Sequence, residues 1–227
     1  MKKIICFILV LALGTFAMIA CNNDDDGPSD AARVAAMFEA SQPTKSVVVT
    51  EQQFGTNNLK GVYTVTVGTV DGAEAAVETT EQYRLTTIPE GSGQEIMDYQ
   101  LVESNKREYI AGKGVRVNGG NWDGTAPSII PVKGAMSINM SDSLISNARY
   151  ENKTLTFTVS AANSAAVFGE ASTLAADSTV TITNDGVRIT GITITYILGA
   201  DAEAGLQETV VTITATYTYD LEPITID

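Results

Sequence analysis

The stretch "TVVTITATYTYD" (residues 209–220) alternates almost without a break. Val211, Ile213, Ala215, Tyr217 and Tyr219 share one parity, and Thr212, Thr214, Thr216 and Thr218 share the other. Side chains point to opposite faces of a strand with period two, so this segment has one apolar face and one face of threonine. A wall of threonines admits three uses: a plain solvent face, a binding surface or the lining of a barrel.

The same pattern fills the rest of the chain. From about residue 46 onward, some eleven segments are strand-like, from "SVVVTEQ" (46–52) to "ETVVTITATYTY" (208–219). Turn chemistry separates them at Val70-Asp71-Gly72, in "EGSG" (90–93) and "NGGNWDG" (118–124), and at Asn184-Asp185-Gly186. Short spacing with no intervening helix implies an antiparallel meander. Parity is clean in Tyr63, Val65 and Val67, in Met136, Ile138 and Met140, and in Leu155, Phe157 and Val159. In "VRITGITITYIL" (187–198) it switches at Gly191, which predicts a β-bulge. Ahead of the strands, "DAARVAAMFEA" (30–40) puts Ala31, Val34, Ala35 and Phe38 on one helical face, widened by Met37. Ser29 or Asp30 can cap that helix, whose expected use is to cover an open end or edge of the sheet.

The expected fold class is therefore all-β: an antiparallel meander forming a lipocalin-like barrel or a β-sandwich, with one short N-terminal helix. "NLKGVYTVTV" (58–67) resembles the entry to the first strand of lipocalin-like (calycin) barrels, matching at Gly61 and Tyr63 with tyrosine in place of the usual tryptophan. In a barrel, Val65, Val67, Phe157, Ile213, Tyr217 and Tyr219 would face inward around a partly polar cavity opening toward the 118–124 loop. The threonine ranks also resemble the flat arrays of some β-type ice-binding proteins. Such arrays need flatness and register, which twist and these irregular loop lengths oppose. Threonine is the natural polar residue for a solvated strand face, so the outside of the sheet is the expected use.

Composition narrows the function. The 227 residues suffice for one large β domain or two small ones, with a sizeable core in either case. A net charge of −13 repels phosphate backbones, which argues against nucleic acid as a partner. No histidine is present, so Ser-His-Asp and Cys-His catalysis and imidazole-bound zinc are excluded. The only cysteines, Cys6 and Cys21, lie at the start, so no disulfide can staple the domain. No cofactor or metal is expected, and "NWDGT" and "NDG" lack the spacing of a recognised calcium loop. Glu78 with Glu81 and Glu103 with Glu108 are the carboxylate pairs available for acid–base work, and no surrounding pattern supports either.

Lys2-Lys3 followed by the apolar run from Ile4 to about Ala20 reads as a secretory leader. Met18-Ile19-Ala20-Cys21 resembles the lipobox of bacterial lipoproteins, with methionine where leucine is commoner. The resemblance implies cleavage before Cys21 and acylation of that cysteine, a membrane anchor worth about 0.8 kcal/mol per buried CH₂. "CNNDDDG" (21–27) resembles the acidic export signal of surface lipoproteins in Bacteroidetes, matched by Asp24, Asp25 and Asp26. It implies an outer-membrane address facing the cell exterior. The organisation follows as a leader (1–20), a lipidated tether (21–29), a short helix and connector (30–45) and an all-β domain (46–227). Asp142-Ser143-Leu144 and Asp177-Ser178-Thr179 resemble the O-glycosylation motif of the same bacteria.

For function, the loop around Trp122, the only tryptophan, is the candidate binding end. Its ring would stack on a sugar or apolar ligand, with Asn118, Asn121 and Asp123 supplying hydrogen bonds and Tyr217 and Tyr219 bringing hydroxyls inside. The expected function is a non-enzymatic binding module for an apolar or glycan ligand. The alternative is a structural or host-facing interaction protein with no small-molecule pocket.

Overall fold

The computed structural model describes residues 29–55, 57–89, 95–124, 138–168, 174–200, 207–220 and 224–226. The leader, Cys21 and Asp24–Asp26 lie outside the described residues. Helix α1 (Asp30–Ala40) precedes β1 (Lys45–Phe54), β2 (Asn57–Val70), β3 (Ala73–Pro89), β4 (Glu95–Ile110) and β5 (Gly114–Val117). Then come β6 (Ile145–Glu151), β7 (Thr154–Val159), a short helix α2 (Ser164–Phe168), β8 (Ser178–Asn184), β9 (Ile189–Leu198) and β10 (Thr209–Thr218). All ten strands join one antiparallel sheet in the order β5-β4-β3-β2-β1-β10-β9-β8-β7-β6.

The all-β meander is as expected, and the closure is not. One sheet excludes a two-sheet sandwich, and β5 and β6 remain separate edges, so no lipocalin-like barrel closes. The long-range pairing that forms instead is β1 on β10, which zips two meanders side by side. β4 passes straight through the polar run "ESNKRE" (103–108), because its side chains alternate between two exposed or ion-paired faces. Ile138 and Met140, expected in a strand, are buried outside any strand, and Met136 lies outside the described residues. Helix α2 was not foreseen; "AANSAAVF" (161–168) is alanine-rich, a helical signal hidden by the strand it follows.

The core explains the register. Leu155, Ile182, Ile192 and Ala215 face one another across β7, β8, β9 and β10, as do Phe157, Val180, Ile194 and Ile213. All eight are at most 5% exposed. A slip of one residue would turn each set to solvent, so these rows lock the pairing. The opposite face then follows without further choice. Thr158, Thr179, Thr195 and Thr212 make one row, and Thr156, Thr181, Thr193 and Thr214 the next. Thr154, Thr183, Gly191 and Thr216 make the third. Irregular loops were expected to put these pairs out of register, and they do not. The threonine wall is the outer side of the packed rows.

Helix α1 lies on the inner face with Ala31 and Val34 buried, beside Ile138, Met140 and the α2 residues Val167 and Phe168. It covers that face at the β6 edge, over β6, β7 and β9, because no second sheet is there to bury those rows. Ser29 caps it, its Oγ accepting from Ala32 N at 3.2 Å. At the other end, buried Ser41 Oγ donates to Met37 O (2.7 Å) and accepts from Ile189 N (2.8 Å), fastening the helix to β9. Tyr219 donates to the carbonyl of the same Ile189, and the Arg188 guanidinium stacks on its ring at 4.2 Å.

The predicted bulge is present. Thr183 pairs with Gly191 while Asn184 pairs with Ile189, and the buried parity changes from Ile189 to Ile192 and Ile194. A Cβ on Gly191 would sit 2.9 Å from Thr183 Oγ1 and 3.2 Å from the Ala215 carbonyl oxygen. Gly191→Ala is therefore expected to cost about 1–3 kcal/mol in urea unfolding, the usual range for overpacking. Adding Thr183→Ala is expected to recover part of that loss, because the nearer obstacle is a side chain. Unchanged stability of Gly191→Ala would show that the bulge relaxes freely.

Candidate functional site

The Trp122 loop is folded back on the sheet edge. Asp123 N donates to Val115 O at 3.0 Å, and Asp123 Oδ1 accepts from Val115 N at 2.8 Å. Asn118 Oδ1 accepts from Lys106 N at 2.7 Å, and its Nδ2 donates to Asn105 Oδ1. Asn121 is exposed. The half-buried Trp122 ring lies over the Arg116 guanidinium, 4.8 Å from it. Arg116 Nε in turn reaches Glu108 Oε2 at 2.6 Å, while Lys106 Nζ lies 2.7 Å from Oε1. Burial alone would raise the Glu108 carboxyl, but the bonds from Arg116 and Lys106 hold it below the ordinary carboxylate range. Most polar groups that the sequence offered to a ligand thus cover the β5 edge and its neighbour, which sheets require. Tyr217 and Tyr219 do share the inner face, but β4, β3, β2 and β1 stand between β5 and β10. Asn118, Asn121, Trp122 and Asp123 therefore do not form one site with Tyr217 and Tyr219.

The acid–base pairs also separate. Glu78 and Glu81 are three apart on β3, Glu103 and Glu108 five apart on β4, and odd spacing sends each pair to opposite faces. Asp185 spends Oδ1 on the backbone N–H of Arg188 (2.7 Å) and Val187 (2.8 Å), and these bonds lower its pKa. Among the described residues no three acidic, cysteine or histidine side chains cluster for a metal. Ser178 is fully buried, so a glycan there is incompatible with the folded chain, whereas Ser143 is exposed.

A different place on the inner face was missed. Across the sheet, the core rows change character at β1. The row of Ile194 and Ile213 continues as Thr50, Gly61, Gln82 and Glu103, and that of Ile192 and Ala215 as Val48, Tyr63, Thr80 and Asn105. A Cβ built on Gly61 meets nothing within 4 Å. On the same face, toward Val65 and away from Gly61, Tyr63 Oη donates to Glu78 Oε1 at 2.9 Å, and Arg107 holds Glu78 Oε2 at 3.2 Å. Burial, followed by the Glu78 charge, raises the Tyr63 pKa, so its phenol stays protonated and the ring stays pinned.

No family model matches this chain, and no curated protein matches it. Among solved structures, it is similar to a DUF1329 family protein from Desulfovibrio piger, at 10% identity and a TM-score of 0.26. That alignment covers 85% of this chain and 92% of the other. A likeness at this level decides nothing about ligand or activity.

Proposed function

We propose that this chain is a lipid-anchored outer-membrane protein of Bacteroidetes type, facing the cell exterior, that acts as a non-enzymatic binding module. Its ligand, apolar or glycan, lies on the inner face over β1–β3 rather than at the Trp122 loop. The observation that carries this reading is the change of the inner face from apolar rows to half-buried polar side chains over β1–β3, where Glu78 holds Tyr63. Binding sites combine apolar or aromatic surface with a few oriented polar groups. The absence of histidine from the whole sequence supports a non-catalytic role.

A retained small molecule tests the reading. Denaturing extraction and mass spectrometry of the protein purified from its own cells should release a compound that Gly61→Trp no longer carries. Equal extracts from both proteins would favour the structural or host-facing alternative, which the exposed Met97, Leu101 and Val102 on β4 support.

The address is tested separately. Cys21→Ser is expected to abolish alkyne-fatty-acid labelling. Replacing Asp24, Asp25 and Asp26 by alanine should keep the label but protect the protein from protease added to intact cells. Labelling of the serine variant, or unchanged shaving of the alanine variant, would remove the anchor or the export signal from the reading.

A further inference from the structure

We infer that the free margin of β4 takes up an extended peptide strand whose side chains alternate between apolar and basic. This site lies apart from the inner-face reading above and does not depend on it. β3 backs β4 from Ile110 down to Glu95. On the far side β5 pairs only with Arg107–Ile110. Asn118 then closes Lys106, accepting from its N–H at 2.7 Å and donating to its carbonyl at 2.8 Å. From Glu95 to Asn105 no strand among the described residues lies on that side. Such a margin presents backbone donors and acceptors that an added strand satisfies.

The opposite edge is defended where this one is not. β6 is short, breaks register between Ser146 and Arg149 with Asn147 at φ 54°, and exposes Arg149 and Glu151. Shortness, bulges and charge keep edges from pairing. On β4, Met97, Leu101 and Val102 are 59%, 53% and 61% exposed. This margin also has a bulge, but its extra residue, Val102, puts an apolar side chain into solvent rather than a charge.

The two faces of the margin set the chemistry of the partner. Leu101, Tyr99 and Met97 pair with Tyr83, Leu85 and Thr87 on the outer face, which is largely apolar. Gln100 and Asp98 pair with Arg84 and Thr86 on the inner face, which Glu103 shares. Asp98 and Glu103 are exposed, and residues 95–105 contain no lysine or arginine; Arg84 stands one strand further in. Side chains of an added strand alternate between these faces, and opposite charges pair favourably across strands. Its complement is therefore apolar on one side and basic on the other. A second copy would bring the same acidic margin and another net charge of −13, which opposes self-pairing.

The experiment titrates the mature polypeptide, residues 22–227 without lipid, calorimetrically with acetyl-Thr-Val-Lys-Val-Lys-Val-Lys-Thr-amide. Binding is expected to be about tenfold tighter than to the rearranged Thr-Val-Val-Val-Lys-Lys-Lys-Thr or to the version with glutamate for lysine. Leu101→Glu should abolish it, although the added charge by itself attracts a basic peptide. Asp98→Lys with Glu103→Lys should transfer the preference to the glutamate peptide. Bound peptide should also slow hydrogen exchange within 97–104. All three side chains are exposed, so these variants are expected to fold, with unchanged circular dichroism as the check. Equal binding of the rearranged peptide, or binding indifferent to Leu101→Glu, would overturn strand docking. Absence of binding would overturn it too. Slow exchange within 97–104 in the free monomer would then show that the chain covers its own margin. A dimer in sedimentation that Leu101→Glu dissociates would assign the margin to a second copy instead.

Discussion

Glu108→Ala is expected to destabilise the protein by about 3 kcal/mol, the low end for removing one partner of a buried ion pair. The Glu108 side chain is 1% exposed, and its loss removes the 2.6 Å carboxylate contact of Arg116, 13% exposed, beneath Trp122. Lys106 is 40% exposed and can turn to water, which is why the low end applies. Trp122 is the only tryptophan and sits on Arg116, so the emission maximum of the variant should shift before unfolding begins. The pH dependence has a definite direction. Because the folded carboxyl lies below the ordinary value of 4.5, its contribution is complete above about pH 4.5 and is lost as pH falls through the lower folded value. Glu108→Gln should flatten that acid limb and keep the side-chain volume. An acid limb identical to wild type would show that the pair contributes nothing.

Phe157→Ala is expected to cost about 3–5 kcal/mol, the range for truncating a buried aromatic. Phe157 is 1% exposed, pairs with Val180 of β8, and belongs to the core cluster that also holds Val34 of α1 and Val167 of α2. For a domain of this size each kcal/mol lowers the melting temperature by roughly 2–4 °C. The adjacent Thr156→Ala changes the outer face only. It removes one cross-strand threonine pair, worth about 0.2–1 kcal/mol. The contrast between neighbours one residue apart tests the two-faced sheet directly, by thermal unfolding of both variants. Comparable losses would mean that the threonine rows are packed against something and that the outer face has been misread.

Alternation along "TVVTITATYTYD" was readable because it is a property of one strand, and burial of Val211, Ile213, Ala215 and Tyr217 agrees with it. The register of the rows was not readable from loop lengths, since hairpin loops of different sizes can deliver the same pairing. The packed inner rows impose it.

By itself the sequence determined what depends on local chemistry. It placed the strands and their faces through period two and the helix through its stripe and the Ser29 cap. It also placed the bulge at Gly191, where a Cβ meets its neighbours. The lipobox and acidic run are likewise local, and they remain sequence statements. Only the tertiary structure decided what depends on residues far apart. The pairing of β1 with β10 joins Lys45 to Thr218, and β5 and β6 stay apart as edges, so the expected barrel is an open sheet. No periodicity encodes which strand ends meet. The same holds for the site. The Trp122 loop looked like a binding loop because Asn, Asp and Gly suit ligands and edge caps equally, and only its hydrogen bonds to β4 and β5 show the second use.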